Sequence, residues 1–354
     1  MPFLVHHALP PGMRELIESR APIRDNAGIC TSGAGLPELE ARLAGRTGAR
    51  HCIATRSGAD AVALALMAAG LGKGHEVITS PFASGATVAA LVRRGARPVF
   101  ADIDRATCNI DAAQIEALIT PRTRAIVPVS LYGQPADMEE INAIARRHQL
   151  LVLEDALESF GATYHRKQSG NLSAVGYTSL LPEASLGWHG DLGAVFTSDD
   201  ALADAMRLRR DAGAPMMDQQ LSAVFDLLDR FDTALQRRMR VAASYEALFS
   251  GRLPRVGRQR DRGCAFSYYA LLLEERARLR AALDDLGIAT TIHPLPLHLQ
   301  RDYAFLGAAE RCPVATQLAA LVLCLPIDSS MDELQATRVA EAVLRVAGVP
   351  MPYA

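Results

Sequence analysis

The sequence predicts an α/β protein whose ligand-binding groups gather at the ends of buried strands. Three observations carry this expectation. Residues 150–153 (LLVL) form a short, continuous apolar run that ends in the acidic pair Glu154–Asp155, as a buried parallel strand does when it delivers a carboxylate to a site. Residues 76–104 (EVITSPFASGATVAALVRRGARPVFADID) read as strand, loop, helix and strand. Residues 51–69 read as strand, small-residue turn and helix, a geometry that offers backbone N–H groups to an anion. Such folds place ligands where strand ends gather at one edge of the sheet.

Composition excludes several classes. At 354 residues the chain is long enough for a sizeable core and two domains. A formal net charge of −2 gives no electrostatic case for nucleic acid or a charged membrane surface. Six cysteines (Cys30, Cys52, Cys108, Cys264, Cys312 and Cys324) are scattered with no C-x-x-C spacing, and read as small buried residues in a reducing compartment. No secretory leader pattern opens the chain and no apolar run spans a bilayer, so a cytoplasmic protein is expected.

Taken in order, residues 1–30 carry His6, His7 and a short helical pattern at 13–19. Two neighbouring histidines without a third ligand read as surface residues, and no metal site is expected. Leu36, Leu39 and Leu43 share one helical face, which is ordinary core packing. In the turn after 51–55, spacing alone makes Ser57 a helix cap and Asp60 a favourable first-turn acid. Phe82 reads as core. Ser130 and Tyr132 end a strand on the ligand edge and are candidate pocket residues, although Tyr132 equally suits the core; Asp137 is expected to cap the next helix. After 150–153 come a strand at 175–179, a turn at Pro182, a Gly-rich return and a strand at 194–197. Helical patterns fill 221–249. Strands are expected at 268–273 and 288–292, with a helix at 275–286 between them.

Two segments carry a family resemblance. Residues 152–162 (VLEDALESFGA) and 178–194 (TSLLPEASLGWHGDLGA) resemble the core of the DegT-type nucleotide-sugar aminotransferases, fold-type I pyridoxal phosphate (PLP) enzymes. Their pattern is roughly V-x-E-D-A-A-Q-x-x-G-A followed by T-S-F-x-P-S-K-x-L-G-x-x-G-D-G-G-A. The resemblance covers roughly residues 33–345 and includes Val129-Ser130-Leu131-Tyr132-Gly133-Gln134. It implies a three-layer α/β large domain with a mostly parallel sheet (1–235), a small C-terminal α+β domain (236–354), and a homodimer with its sites at the interface.

The same resemblance assigns roles residue by residue. Asp155 stands where the family pairs a carboxylate with the PLP ring nitrogen, and Ser179 where a serine binds the phosphate. Ser57, Gly58 and Ala59 match the phosphate turn, but Ala59 replaces a threonine donor. Ser84 replaces the aromatic that stacks on the ring. Glu158 replaces a glutamine near the ring hydroxyl, and Glu183 adds a further negative charge. The partner-reaching loop after Gly213 is about ten residues short. His293 is kept from the V-H-Y-P substrate motif, without its tyrosine. Ala184 stands at the position of the lysine that holds the cofactor covalently. Only two lysines exist in the chain, Lys73 and Lys167, and both read as solvated surface residues.

These departures converge on one pocket and suggest a PLP-independent protein with no covalently held cofactor. Its old pocket would bind a small molecule or perform lysine-free chemistry with Asp155, Glu158, Glu183 and His189 as acid–base groups. One alternative is a non-catalytic partner of an active paralogue. Another is an aminotransferase or dehydratase that holds PLP without a covalent link, including an engineered Lys-to-Ala form, with His189 five residues from Ala184.

Overall fold

The computed structural model of the chain describes residues 35–180, 192–211, 218–306 and 309–350. The strands of the large sheet are β1 (His51–Thr55), β2 (Glu76–Thr79), β3 (Arg97–Phe100), β4 (Thr123–Val127), β5 (Leu151–Asp155), β8 (Val175–Ser179) and β9 (Gly193–Thr197). A separate hairpin, β6 (Thr163–Tyr164) and β7 (Lys167–Gln168), lies between β5 and β8 in the chain. The seven strands run in the order β1-β9-β8-β5-β4-β2-β3. From β8 through β5, β4 and β2 to β3 every pair is parallel, while β9 is antiparallel to both neighbours.

Parallel strands must be covered on both faces, which explains their near-continuous apolar runs. Alternate residues go to opposite sides. Ile53, Val77, Leu153 and Val195 pack with α2 (Gly58–Ala68), α3 (Gly85–Arg93) and α6 (Asp200–Asp211). On the other face, Leu39 and Leu43 of α1 (Gly35–Thr47) meet Cys52, Ala54 and Phe196. Farther along that face Ile78, Ile126 and Val152 meet α4 (Ala112–Ile115) and α5 (Met138–Arg147). The result is the three-layer, mostly parallel arrangement expected.

The long helix α7 (Asp218–Phe249) leads from this layer into a second cluster. There β10 (Tyr269–Leu272) pairs antiparallel with β11 (Val322–Leu325), against α8 (Arg276–Asp285), α9 (Pro313–Leu321) and α10 (Glu333–Val346). Tyr245, Leu271, Leu323, Ala340 and Leu344 form its core.

Two local expectations are corrected. Residues 288–292 are not a strand: the partner of β10 is β11, and Thr291 makes a single bridge to Cys324. The Ile288 N–H is spent closing the end of α8 on the Leu283 carbonyl, and Pro294 and Pro296 follow without donors. Asp137 takes the N-cap position of α5 but makes no side-chain capping bond; its carboxylate pairs with Arg262 at 2.8 Å. No helix among the described residues is long and apolar enough to cross a membrane, and no group of three or more metal-ligating side chains occurs among them.

Candidate functional site

The site is built where β5 ends beside β8. Alternation along β5 sends its two carboxylates to opposite faces. Glu154 is fully buried and accepts from the Ser169 hydroxyl at 2.7 Å and from the Gly170 and Leu172 N–H groups at 2.7 and 2.8 Å. That carboxylate fastens a loop. Asp155, on the other side, is the functional candidate.

Asp155 and Tyr177 are register partners on neighbouring parallel strands, so their side chains share a face. The Tyr177 phenol donates to Asp155 Oδ2 at 3.0 Å. The Thr87 hydroxyl donates to the same oxygen at 3.1 Å, and the Leu157 N–H reaches Oδ1 at 3.2 Å. Asp155 and Tyr177 are each 1% exposed. Burial pushes the Asp155 carboxyl up to about 6, against its three hydrogen bonds and with help from the nearby charge of Glu158. Burial and the Asp155 carboxylate likewise push the Tyr177 phenol well above its usual range.

Ser84 extends this network. It is the N-cap of α3: its hydroxyl accepts the Thr87 N–H at 3.1 Å and lies 2.9 Å from the Thr87 hydroxyl. Where the resemblance puts a stacking aromatic, the chain has a helix cap that steadies one donor to Asp155.

A second cluster lies beside the first. Glu158 Oε1 is 2.5 Å from His293 Nε2, and Oε2 accepts the Tyr132 N–H at 2.6 Å. Tyr132 holds a left-handed backbone conformation (φ 56°), and its phenol donates to the His293 carbonyl at 2.8 Å. Tyr268 stacks on the His293 imidazole with ring centroids 4.4 Å apart. The His293 side chain is 30% exposed and that of Glu158 only 8%, so the pair has a wet side and a dry side.

The phosphate turn shows both readings at once. Ser57 caps α2 by accepting the Asp60 N–H at 2.9 Å, and Ala59 is exposed in the first turn. Gly58 lies directly against Ser179: a Cβ there would stand 2.4 Å from the Ser179 Cβ, so only glycine permits this approach. The Ser179 hydroxyl is buried and has no hydrogen-bond partner among the described residues.

The structure thus brings together Asp155, Ser84, Glu158, Tyr132 and His293, and sets Ser179 against the start of α2. Ser130 is drawn into the turn instead: it is fully buried, its hydroxyl accepts the Ala136 N–H and its own N–H bonds the Asp155 carbonyl. Glu183, Ala184 and His189 lie outside the described residues. Both lysines are exposed. Lys73 precedes β2, at the opposite end of the parallel strands from Asp155, and Lys167 lies in the β6–β7 hairpin. Sequence reasoning missed Tyr177, Thr87 and Tyr268. One signal for Tyr177 was present: it is two residues before Ser179 on a strand, hence on the same face, and a buried phenol needs a partner.

Comparisons with known proteins agree with this geometry at the level of family. The DegT/DnrJ/EryC1/StrS aminotransferase family matches residues 15–344. The chain is 41% identical over 328 residues to the pleiotropic regulatory protein of Geobacillus stearothermophilus, covering 86% of this chain and 87% of that protein. It is 38% identical over 319 residues to the UDP-2-acetamido-2-deoxy-3-oxo-D-glucuronate aminotransferase of Pseudomonas aeruginosa, covering 85% and 87%. The X-ray structure of S. venezuelae DesV in complex with a ketimine intermediate superposes with a TM-score of 0.84 at 34% identity, covering 89% of this chain and 90% of that one.

Proposed function

The chain belongs to the DegT/DnrJ/EryC1/StrS aminotransferase family, and from that membership we propose that it is a homologue of the nucleotide-sugar aminotransferases that no longer works through covalently held PLP. Its inherited pocket binds a small-molecule ligand beside a carboxylate–imidazole pair. The observation that carries this reading is the state of Asp155: its buried carboxylate already accepts from Tyr177, Thr87 and the Leu157 N–H.

Set against the family's cofactor, the residues fit one end and not the other. The start of α2 and the buried Ser179 hydroxyl, which has no partner among the described residues, suit a phosphate. The ring end does not suit a pyridine. Asp155 is sealed, Ser84 is a helix cap, Glu158 is held by His293 and Tyr132, and both lysines are exposed. No chemical step is therefore routed through PLP. What remains is proton handling. Glu158 orients His293 through Nε2, Tyr268 holds the ring plane, and the exposed side of the imidazole faces solvent, where a ligand's proton could be held or moved.

A second reading is favoured by one finding, the regulatory name borne by the 41%-identical relative. Under it the chain is a non-catalytic partner, joined through the family's dimer surface to an active paralogue or to a second copy of itself.

The deciding experiment is an absorbance spectrum and a native mass spectrum of the protein as purified. The expected result is a colourless protein with no borohydride-fixed cofactor. Stoichiometric PLP in the purified chain would overturn the proposal, and a bound sugar nucleotide without PLP would support it over the regulatory reading.

A further inference from the structure

We infer that Tyr177 is the residue that excludes a pyridine cofactor from this pocket, by giving Asp155 from within the chain the contact that the ring nitrogen would give it. The inference rests on the proposal above and names the device behind it.

A protonated pyridine is a six-membered aromatic ring with one N–H donor. The Tyr177 side chain is a six-membered aromatic ring with one O–H donor, and it points that donor at Asp155 Oδ2 from 3.0 Å. The placement is fixed by the sheet. Tyr177, in the middle of β8, is paired in register with Asp155 at the end of β5, and the Tyr177 ring belongs to the core cluster that contains Ala61, Val62 and Ala65 of α2. The ring cannot swing away without opening that core. Thr87, steadied by Ser84, supplies a second donor to the same oxygen, and the carboxylate is 1% exposed. A diffusible ring would have to displace a donor already tethered beside its acceptor and leave a buried phenol with only the Thr87 hydroxyl, 3.2 Å away, as its partner. Both effects oppose binding.

The test measures binding of pyridoxamine 5′-phosphate by equilibrium dialysis. This probe has no aldehyde and so cannot label Lys73, Lys167 or the N-terminus. Wild type is compared with Tyr177→Phe, which removes only the donor, with Tyr177→Ala, which also vacates the ring's volume, and with Tyr177→Ala carrying Asp155→Asn. Circular dichroism checks that each is folded. The expected result is at least about tenfold tighter binding in Tyr177→Ala, the scale of one charge-assisted hydrogen bond. Tyr177→Phe should show a smaller gain, and Asp155→Asn should cancel it. The inference is overturned if folded Tyr177→Phe and Tyr177→Ala bind no tighter than wild type, or if the gain survives Asp155→Asn. Tight binding by wild type would instead sink the proposed loss of the cofactor, and the ratio between Tyr177→Ala and wild type would still decide the role of Tyr177.

Discussion

His293 Nε2 lies 2.5 Å from Glu158 Oε1, and the other oxygen of that carboxylate accepts the Tyr132 N–H. One side chain thus ties the segment that follows β5 to a residue 135 positions away, and it holds the left-handed turn at Tyr132 in place. The family resemblance puts a neutral glutamine at position 158. Here a carboxylate meets an imidazole, a charge-assisted contact that becomes an ion pair when His293 is protonated.

Replacing Glu158 by alanine should destabilise the protein by about 2–4 kcal/mol, because the buried Tyr132 N–H loses its acceptor and His293 loses its bond to the carboxylate. Glu158→Gln should cost under about 1 kcal/mol, since an amide can accept from Tyr132 and donate to His293. Urea unfolding measures both. Equal costs for the two substitutions would show that the carboxyl position is packing and not hydrogen bonding.

The Asp155 carboxyl titrates near 6 in the fold and near 3.9 in an unfolded chain. Between those values the folded state binds the extra proton, so this group's contribution to stability falls as pH rises through about 4 to 6. At about 1.4 kcal/mol per pH unit the full loss is roughly 3 kcal/mol. Comparison with Asp155→Asn isolates it. The stability of wild type relative to Asp155→Asn should be greatest near pH 4 and decline towards pH 7, and a flat difference would refute the elevated titration.

Ala184→Lys alone should not restore transamination. By the family resemblance the new amine would join a site in which Tyr177 and Thr87 hold Asp155, a helix cap, Ser84, stands where a stacking ring is expected, and Glu158 is committed to His293. These defects surround one ligand and should couple. A misaligned ring forfeits several orders of magnitude in rate. In a single-turnover mixture of Ala184→Lys, PLP and glutamate, no pyridoxamine phosphate should form. Clear conversion would mean that the remaining pocket is competent.

The chain should be a dimer in solution, because the opening helix and the block at 111–148 keep the letters of the family frame while the pocket letters change. Light scattering at micromolar concentration should return twice the 38.0 kDa chain mass. A monomer would count against both the dimer and the regulatory reading.

Much of the fold was legible because its signals are local. β1 and β8 have the bounds expected from the sequence, and Glu154–Asp155 does end a strand. The candidate site was less legible, because its decisive contacts join distant segments. Tyr177 meets Asp155 only through the pairing of β8 with β5, and Glu158 meets His293 across 135 residues. The second strand of the small sheet was misplaced for the same reason: 288–292 and 322–325 both suit a strand, and pairing with β10 selected the latter. Ser84 as a cap was locally readable from a serine before a helical run, but comparison with a stacking aromatic drew attention to what it lacked.

Glu154 and Asp155 are neighbours in sequence and strangers in space, one fastening the loop at 169–172 and the other meeting Thr87 and Tyr177. A single strand therefore keeps two separate inheritances. Substitutions that change the chemistry on one face leave the anchor on the other untouched, so this strand can hold its shape while the groups beside Asp155 vary.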